Sequence, residues 1–413
     1  MKASQEDHGG RPDVVVIGAG VVGLCTALEL AQAGMSVVVI SGGKPHTGAS
    51  AGNAGMVVPS HVVPLSAPGV IAQGLRWLLR RDAPFHLKPR PSPALLRWLL
   101  LFRAHCTEAH VKRAVPILRD LSMASVEGFE KLAEQGDDFA WSQTGLLMVY
   151  RSQRLGDSVM HEGRVAADAG LRVRELDRDA LREFEPGLLS PASGAVLYED
   201  DGRVDPDRLL RTLEDRVRAA GGTIRHELPV RHLEPGRVVT GRGELQADHV
   251  VVAAGAWSPE LVRGLPVQPA KGYSVTVDPP PGGPRTPMIL MEDRVTVTPM
   301  PGRIRFGGTL SLAGYDATVD RRRIRPILEE AVRYRPEVDP ESLQVWSGFR
   351  PASPDGLPFI GPHTRGVWLN TGHGMMGVSL APASGRLLAD QILGRTPSVD
   401  PAPYAPDRLG RLK

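Results

Sequence analysis

The stretch Asp13-Val-Val-Val-Ile-Gly-Ala-Gly-Val-Val-Gly-Leu-Cys-Thr-Ala-Leu-Glu-Leu-Ala-Gln-Ala-Gly-Met-Ser-Val-Val-Val-Ile40 decides the fold of this 413-residue chain. Its first β-branched run, residues 14–17, is typical of a strand that is buried on both faces. Apolar residues then recur at helical spacing over residues 21–33, and Gly34 ends the predicted helix. A second β-branched run, residues 37–40, predicts a parallel strand. The stretch therefore predicts a strand–helix–strand unit.

Three glycines, Gly18, Gly20 and Gly23, connect the first predicted strand to the helix with G-x-G-x-x-G spacing. The first glycine permits a tight turn, the second lets the main chain approach a pyrophosphate, and the third lets the helix pack closely on the strand. The helix N-terminus then points its free N–H groups at the pyrophosphate. We therefore predict a dinucleotide site that includes these glycines and Val22. A glycine turn of some other α/β fold is the disfavoured alternative.

The residue that ends the second strand departs from this pattern. In such units it is usually an acid that accepts hydrogen bonds from the adenosine ribose. Here it is Ser41, and two glycines follow it. A serine hydroxyl can still bond a ribose hydroxyl, with less charge assistance. We therefore keep Ser41 among the predicted cofactor contacts and expect a weaker ribose contact.

The composition, with 42% hydrophobic and 23% charged residues, is ordinary for a globular protein large enough for two domains. The net charge is +3, and the one basic block, Arg321–Arg323, is more typical of a solvated helix face than of a nucleic-acid patch. The two cysteines, Cys25 and Cys106, provide no disulfide framework and no metal motif, which favours a reducing cytoplasm. The polar N-terminus is unlike a signal peptide.

The most apolar stretch outside the predicted core strands is residues 93–105, which Arg97 and Arg103 interrupt. It is too short to span a bilayer. The favoured interpretation is an amphipathic helix packed on the domain. The alternative is an interfacial helix that contacts a partner or the inner face of the cytoplasmic membrane.

A long loop of small residues, 41–59, follows the second strand. Its composition lets the main chain lie flat against a planar ligand, because no side chain intervenes. A floppy linker is the alternative, and the apolar end of the loop argues against it. The predicted cofactor contacts in this loop are Ser50, Asn53, Ala54 and Gly55. Residues 60–69, which include His61, are predicted to form part of the site wall.

The middle of the chain combines helices with antiparallel strands. Helices are predicted over most of residues 70–135, and a hairpin turns at residues 300–302 within an antiparallel block. This block predicts a second domain inserted into the first. Between these parts, a β-branched strand leads into Gly255 and Trp257, at the carboxyl end of a strand, where ligands of doubly wound sheets lie.

Two stretches in the last third are predicted to close the site. Residues 345–361 are rigid and rich in turn-forming residues, and Arg350 stands among them in an unusual place for a merely solubilising charge. Residues 370–385 are predicted to open a second helix near Gly374, whose N-terminus can stabilise negative charge. The predicted cofactor contacts here are Gly372, His373, Gly374, Met375, Met376 and Gly377. The tail after Gly394 is predicted to be loose.

These motifs together resemble the glutathione-reductase-like FAD fold and, more closely, the D-amino-acid oxidase superfamily, within it the D-amino-acid dehydrogenase small-subunit type. The matching stretches cover nearly the whole chain in the right order: residues 14–23, 50–55 with Pro59, 64–69, 271–274, 348–356 and 370–377. The resemblance implies non-covalently bound FAD and an α/β protein, α+β overall. It implies a Rossmann-like FAD-binding domain (12–60, 204–262 and 345–398), an inserted substrate domain of antiparallel sheet and helices (61–203 and 263–344), and loose termini (1–11 and 399–413).

The resemblance also implies oxidation of an amine α to a carboxylate, by hydride transfer to flavin N5. It assigns Arg350 to the substrate carboxylate, where a guanidinium offers a planar two-point fork; a structural ion pair is the alternative. Relatives often carry a carboxylate-binding tyrosine near Val295, which is absent here, and Tyr273 is the predicted substitute. His61 is the third residue predicted to act on the substrate.

Several functions stay open at this point. The favoured one is oxidation of a D-amino acid, or of a cyclic imino acid such as D-proline or hydroxyproline, with electrons passed to a quinone or another non-oxygen carrier. The alternatives are an oxidase that forms hydrogen peroxide, a 2-hydroxy-acid dehydrogenase, and a non-enzymatic dinucleotide sensor.

Overall fold

The computed structural model describes residues 11–78 and 85–410. Its helices are α1 (Val21–Gln32), α2 (Val70–Leu78), α3 (Pro93–His105), α4 (Glu108–Glu134), α5 (Gln153–Asp168), α6 (Arg178–Phe184), α7 (Pro206–Ala219), α8 (Ser258–Leu261), α9 (Arg321–Tyr334) and α10 (Ala381–Ile392). The end of the helix predicted over 71–80 and the predicted loose N-terminus, residues 1–10, lie outside the described residues.

The strands of the described residues fall into four sheets. They are β1 (Val14–Ile17), β2 (Val37–Ile40), β3 (Met56–Val57), β4 (Phe85–Leu87), β5 (Leu146–Tyr150), β6 (Val173–Asp177), β7 (Gly194–Tyr198), β8 (Gly202–Arg203), β9 (Thr223–Arg225), β10 (Val230–Glu234), β11 (Arg237–Thr240), β12 (Gly243–Gln246), β13 (His249–Val252), β14 (Gln268–Val277), β15 (Met288–Leu290), β16 (Val295–Met300), β17 (Arg303–Leu312), β18 (Val345–Ala352), β19 (Phe359–Thr364) and β20 (Val367–Thr371).

A six-stranded sheet contains the predicted strand–helix–strand unit. Its order is β19-β20-β13-β1-β2-β9, and β1 pairs in parallel with both β2 and β13. Only the edge strand β19 runs antiparallel to its neighbour in this sheet. Val14, Val15 and Val16 are completely buried, as a strand covered on both faces requires. The predicted parallel pairing of residues 14–17 with 37–40 is confirmed.

Both faces of this sheet are covered. On one face, α1, α7 and α10 contribute Leu24, Leu213 and Leu388 to a core cluster that also contains side chains of β1 and β2. On the other face, the three-stranded sheet β10-β11-β12 contributes Val238 to a cluster with Val15. The carboxyl ends of β1, β2 and β13 remain free of these layers and open toward the second large sheet.

The second large sheet is mostly antiparallel. Its order is β18-β14-β17-β16-β15-β5-β7-β6, and β4 pairs with β17. Helix α9 packs on one face, where Ile324 and Ile327 share a core cluster with Phe306. An antiparallel sheet with helices, beside a Rossmann-like sheet, confirms the predicted fold class. The boundaries proposed for the two domains stay a prediction.

The turn-rich segment predicted over residues 345–361 is instead a strand for its first eight residues. These residues form β18, which pairs with β14 from Ala352 opposite Gln268 to Val345 opposite Val275. The proline within β18 is tolerated because this strand lies at the edge of its sheet and needs no second partner. Arg350 therefore projects from a strand and not from a loop.

The loose tail predicted after Gly394 is wrong for residues 395–410. Tyr404 is completely buried, and its hydroxyl donates to the main-chain oxygen of Ile117 over 2.8 Å. Arg408 Nε lies 2.7 Å from Asp355 Oδ2, and both side chains are largely buried. Such contacts join residues far apart in sequence, so the local proline content did not indicate them.

Helix α3 packs on the protein through one face, as the favoured interpretation predicts. Leu95 and Trp98 are buried, and the Trp98 indole N–H donates to the Ala352 carbonyl oxygen over 2.8 Å. On its outer side, Leu96 and Leu100 are 60% and 58% exposed. Across residues 11–78 and 85–410, no helix is both long enough and apolar enough to cross a membrane.

The ion pair of the tail provides a test of this packing. We expect Arg408→Met to lower the free energy of unfolding by about 3–5 kcal/mol, because the Asp355 carboxylate stays buried without its cation. The matched control is Arg237→Met, which removes exposed pairs with Glu234 and Glu244 and is expected to leave the free energy of unfolding nearly unchanged. Denaturant unfolding measures both, and equal losses would contradict the structural role of the tail.

Candidate active site

A connected cavity of about 1910 Å³ extends from the carboxyl end of β1 to the edge of the nine-stranded sheet. The turn between β1 and α1 lines one end, and Arg350 on β18 lines the other. Cavities that hold drug-sized ligands measure about 300–1,000 Å³. This cavity therefore has room for a dinucleotide together with a small second molecule.

Close packing explains two of the glycines at the first turn. A β-carbon on Gly23 would stand 1.9 Å from the Gly18 carbonyl oxygen, and one on Gly18 would stand 2.3 Å from the Ala253 carbonyl oxygen. Gly20 caps α1 and lines the cavity together with Val22. Gly23 is not part of the cavity wall, so it acts by letting α1 approach β1 and not as a cofactor contact.

The N-terminus of α1 donates a hydrogen bond to the small-residue loop. Ser50 Oγ accepts from the Val21 N–H over 3.1 Å and also lines the cavity. The other N–H groups of a first helical turn have no intrahelical partner, and the peptide dipoles favour an anion there. Ser50 thus holds the loop against the end of the helix where a pyrophosphate is expected.

A histidine pair lies where the ribose-binding acid was expected. Ser41 lines the cavity, and its N–H bonds the Arg225 carbonyl oxygen, which brings the next residue, His226, to the same edge of the sheet. Glu214 on α7 bonds His226 Nε2 over 3.1 Å and His46 Nε2 over 3.2 Å. His226 Nδ1 is buried and has no partner among the described residues. In the tautomer that donates from Nε2, this atom accepts a hydrogen bond, as a ribose hydroxyl requires.

The small-residue loop is clamped onto the nine-stranded sheet, so it is not a floppy linker. Arg305 Nη1 donates to the carbonyl oxygens of Ala51 and Asn53, both over 2.7 Å. The Ser274 hydroxyl donates to the Gly52 carbonyl oxygen over 3.2 Å. The loop therefore presents its main chain to the cavity in a fixed position.

Within this loop the predicted contacts divide into two groups. Asn53 and Ala54 line the cavity, and Asn53 Oδ1 accepts a hydrogen bond from the Gly55 N–H over 2.7 Å. Gly55 itself is absent from the wall. It has a φ of 71°, and a β-carbon there would stand 2.3 Å from the Val204 carbonyl oxygen. Gly55 therefore serves packing within the loop, and its contact with a cofactor stays a prediction.

Two other glycines leave open main chain beside the cavity. Gly255, which follows β13, and Gly374, which follows β20, each have a φ of 55°, and a β-carbon on either would meet nothing within 4 Å. The Trp257 ring is 43% exposed and stacks on Tyr315 with 5.9 Å between centroids. The other predicted contacts that line this part of the wall are Trp257, His373, Met375, Met376 and Gly377. Open main chain of this kind suits a flat ligand.

The helix predicted to open near Gly374 begins later. Residues 374–376 form one turn of 3₁₀-helix, and α10 begins at Ala381. Gly372 and Gly374 have φ values of 84° and 55°, outside the right-handed helical region, so a regular α-helix does not begin at Gly374. Gly372 is also absent from the wall, because it packs against Phe359. The predicted stabilisation of negative charge near Gly374 therefore falls to the short 3₁₀ turn of residues 374–376 and not to the dipole of a long helix.

His373 connects this turn to α10. The side chain is buried, and Nε2 lies 3.0 Å from the Ser384 Oγ. Burial lowers the pKa of His373 to about 3, so the ring is neutral at neutral pH. His373 also lines the cavity, and its contact with a cofactor stays a prediction.

Arg350 is a partly buried cation without an anionic partner among the described residues. Its Nη1 donates to the Thr309 carbonyl oxygen over 2.8 Å, and its guanidinium lies against Gly272, where a β-carbon would clash at 2.3 Å. No carboxylate among the described residues is within 4 Å of the guanidinium. Burial lowers the pKa of Arg350 to about 10, which still leaves it charged at neutral pH. An uncompensated buried charge calls for a carboxylate ligand.

Tyr273 is not brought to Arg350, which corrects the prediction that it substitutes for the family tyrosine. Side chains alternate along β14, so Gly272 faces the Arg350 guanidinium and Ser274 the small-residue loop, whereas Tyr273 faces α9. Its ring packs in the core cluster with Ile327, and its hydroxyl donates to the Thr318 carbonyl oxygen over 3.3 Å.

His61 lines the cavity as predicted. Its Nδ1 lies 3.2 Å from the hydroxyl of the preceding Ser60. Burial and the nearby charge of Arg294 lower the pKa of His61 to about 4, so this ring is neutral at neutral pH. Arg294 also lines the cavity, and its strained φ of 54° places it at the turn between β15 and β16.

A model of the DAO family, described as FAD dependent oxidoreductase, matches residues 13–391. The chain belongs to this family. The D-amino acid dehydrogenase of Cereibacter sphaeroides is 35% identical over 96% of this chain and 97% of its own length. The D-amino acid dehydrogenase of Methylobacterium nodulans is also 35% identical, over 94% of this chain and 96% of its own.

Solved structures agree with this assignment. Glycine oxidase from Geobacillus kaustophilus aligns with a TM-score of 0.75 at 25% identity, over 96% of this chain and 99% of that one. L-proline dehydrogenase from P. horikoshii, 20% identical, shares the fold with a TM-score of 0.72 over 97% and 98% of the two chains. This DAO-family member is therefore an FAD-dependent oxidoreductase, and the dinucleotide sensor is no longer a candidate.

The cavity of this DAO-family chain fits FAD. The open glycines Gly255 and Gly374 leave room for a flat ring, the N-terminus of α1 suits the pyrophosphate, and His226 Nδ1 offers a buried acceptor for the ribose. Sequence reasoning missed His226 and Glu214 because histidine and glutamate on separate elements carry no motif. The only hint was the missing acid at Ser41.

The role of His226 is testable on FAD binding alone. We expect His226→Phe to raise the Kd of the apoprotein for FAD on the order of 5-fold, since one net hydrogen bond is worth about 1 kcal/mol. Fluorescence quenching of FAD measures this value. His232→Phe, at an exposed position on β10, is the control and should leave the Kd unchanged. An unaltered Kd in His226→Phe would remove His226 from the cofactor site.

Proposed function

We propose that this DAO-family enzyme oxidises D-amino acids, or cyclic ones such as D-proline or hydroxyproline, to the corresponding imino acids. An acyclic imino acid then hydrolyses in water to a 2-oxo acid and ammonia, whereas a cyclic imine persists. The observation that carries this proposal is Arg350, a partly buried cation in the cavity wall with no carboxylate partner among the described residues. The curated relatives named D-amino acid dehydrogenase support the D-configuration.

Arg350 is suited to position the substrate. A guanidinium binds a carboxylate through two parallel N–H groups, which fixes orientation as well as location. The Thr309 carbonyl oxygen and the packing over Gly272 already restrict the side chain, so little entropy is lost on binding. Proximity and orientation then supply much of the rate enhancement.

The residues of the wall would hold the cofactor around this point. When bound, FAD supplies the hydride acceptor, N5 of the flavin. The residues that would hold it are Gly18, Gly20, Val22, Ser41, Ser50 and His226 toward the adenosine diphosphate, and Asn53, Ala54, Gly255, Trp257, His373, Gly374, Met375, Met376 and Gly377 toward the flavin. The Arg305 clamp keeps the loop around Asn53 against the nine-stranded sheet and so sets the width of this part of the cavity.

We also propose that the electrons leave to a quinone or another non-oxygen carrier at a membrane surface. Exposed apolar side chains, Ile71, Leu75 and Leu100, line the cavity opening. Arg97 and Arg103 on α3 add positive charge that suits anionic headgroups. Co-flotation with vesicles that contain phosphatidylglycerol, and none with phosphatidylcholine alone, would support this contact.

An anaerobic titration tests the substrate class. The flavin absorbance is recorded as D- and L-amino acids, D-proline, hydroxyproline isomers and 2-hydroxy acids are added. Bleaching by D-amino or cyclic amino acids alone supports the proposal, and bleaching by 2-hydroxy acids alone overturns it while keeping the cofactor. Readmission of oxygen then separates the alternatives, because only an oxidase forms peroxide at the turnover rate.

The proposed binding of the substrate carboxylate by Arg350 can be tested by steady-state kinetics. We expect Arg350→Ala to lower kcat/KM on the order of 10²–10⁴-fold, because two charge-assisted hydrogen bonds of about 1.5–3 kcal/mol each are lost. Arg350→Lys should recover only part of the loss, since an ammonium lacks the fork. Steady-state assays with a dye acceptor measure both. Arg365→Ala, on an exposed turn, is the control. An unchanged kcat/KM with lowered stability would favour the structural alternative.

A further inference from the structure

A second ionisable side chain without an oppositely charged partner in residues 11–78 and 85–410, Asp201, lies behind His61 of the cavity wall. The Asp201 carboxyl, between β7 and β8, is completely buried. No cation among the described residues is within ion-pair distance of it. Its hydrogen bonds come from Ser60, whose N–H donates to Oδ1 over 2.9 Å and whose hydroxyl donates to Oδ2 over 2.5 Å. A buried carboxyl without a cation destabilises a fold, so its presence invites a functional explanation.

Ser60 connects this carboxyl to the cavity. The same hydroxyl that bonds Asp201 lies 3.2 Å from His61 Nδ1, and His61 lines the cavity. When the Ser60 hydroxyl donates to Asp201, it can accept only from His61 Nδ1–H, which leaves His61 Nε2 as the acceptor. A continuous hydrogen-bonded chain thus runs from the cavity to the buried carboxyl.

The hydrogen-bonded chain of His61, Ser60 and Asp201 begins in the wall of the cavity that Arg350 also lines. Arg294, whose charge acts on His61, has its carbonyl oxygen 2.9 Å from where a β-carbon of Gly308 would stand. The next residue, Thr309, provides the carbonyl oxygen that holds Arg350. A substrate whose carboxylate is held by Arg350 therefore lies in the same cavity that His61 lines.

We propose that His61, Ser60 and Asp201 form a proton relay that accepts the proton of the substrate ammonium group. The inference rests on the proposed function, since an amino acid arrives as a zwitterion and its nitrogen needs a free lone pair before hydride can leave Cα. His61 contacts the ammonium group, and Ser60 and Asp201 are positioning residues that act through it.

The proton balance of this step is complete. The substrate N–H bond breaks as His61 Nε2 gains a proton, the His61 Nδ1 proton passes to Ser60 Oγ, and the Ser60 hydroxyl proton passes to Asp201. The amine becomes neutral, and the carboxylate becomes a carboxylic acid. No oxidant or second reactant is needed for the transfer.

The charges around the relay set its pH range. Burial raises the pKa of Asp201 to about 8, the hydrogen bonds from Ser60 oppose this rise, and the neighbouring Asp200 adds to it. Tyr198 stays protonated because burial, Glu162 and Asp201 all raise its pKa, and Arg294 acts on both His61 and Glu162. The relay accepts a proton only when Asp201 is ionised, so its contribution rises as pH rises through about 8.

Stopped-flow flavin reduction by D-alanine and by D-proline, without oxygen and between about pH 6 and pH 10, tests the relay. In the wild type we expect the rate at saturating substrate to rise through about pH 8. Asp201→Asn should remove this rise and lower the high-pH rate on the order of 10²-fold, the scale of general base catalysis. The substrate Kd should stay unchanged, because Arg350 is intact.

Further variants keep the test decisive if Asp201→Asn does not fold. Ser60→Ala should break the relay and flatten the pH profile, whereas Ser60→Thr retains a hydroxyl and should restore it. The control Asp215→Asn removes an exposed carboxylate of α7 and should keep the wild-type profile. A wild-type profile in Ser60→Ala or in a folded Asp201→Asn would overturn the relay alone. A wild type that neither amino acid bleaches would overturn the proposed function and the relay with it.

Discussion

The close contact between α1 and β1 determines the geometry of the whole cavity. Gly23 lies so near the Gly18 carbonyl oxygen that no side chain could stand between them. This contact fixes the N-terminus of α1, to which Ser50 is bonded, and the loop that carries Ser50 is in turn held by Arg305 of β17. One series of contacts therefore positions the phosphate end of the cavity relative to the sheet that carries Arg350.

Two ionisable side chains, the partly buried Arg350 in the cavity wall and the buried Asp201 behind His61, match the two charged groups of an amino acid, Arg350 by contact and Asp201 through the proposed relay. Neither has a partner of opposite sign among the described residues, and each has hydrogen bonds that orient it. An unpaired ion in a protein interior destabilises the fold, whereas the substrate carboxylate compensates Arg350 and the ammonium proton, passed along the proposed relay, neutralises ionised Asp201. The arrangement favours a ligand that has an amine and a carboxylate on one carbon.

The sequence pattern predicted the features that depend on neighbouring residues. It did not predict the features that depend on contacts between residues far apart in the sequence. Runs of β-branched residues predicted the parallel strands on either side of the Gly18 turn and α1. The position of Arg350 between Phe349 and Pro351 indicated that this arginine is not an ordinary surface charge. The packing of Tyr404 and the ring direction of Tyr273 were not predicted, because both depend on which distant element covers them. His226 escaped notice for the same reason: its role arises from a glutamate on another helix and from an atom left without a partner.

Because the cavity between the two large sheets binds FAD, the amount of folded protein in a cell depends on the supply of this cofactor. FAD that binds there stabilises the native state by mass action, by about 2.7 kcal/mol when free FAD exceeds its Kd by about 100-fold. Differences of this size change the steady-state abundance of a protein several-fold through proteolysis of its unfolded form. A cell short of riboflavin would therefore lose the protein itself, and the recovery of amino-acid oxidation would wait for new synthesis as well as for the vitamin.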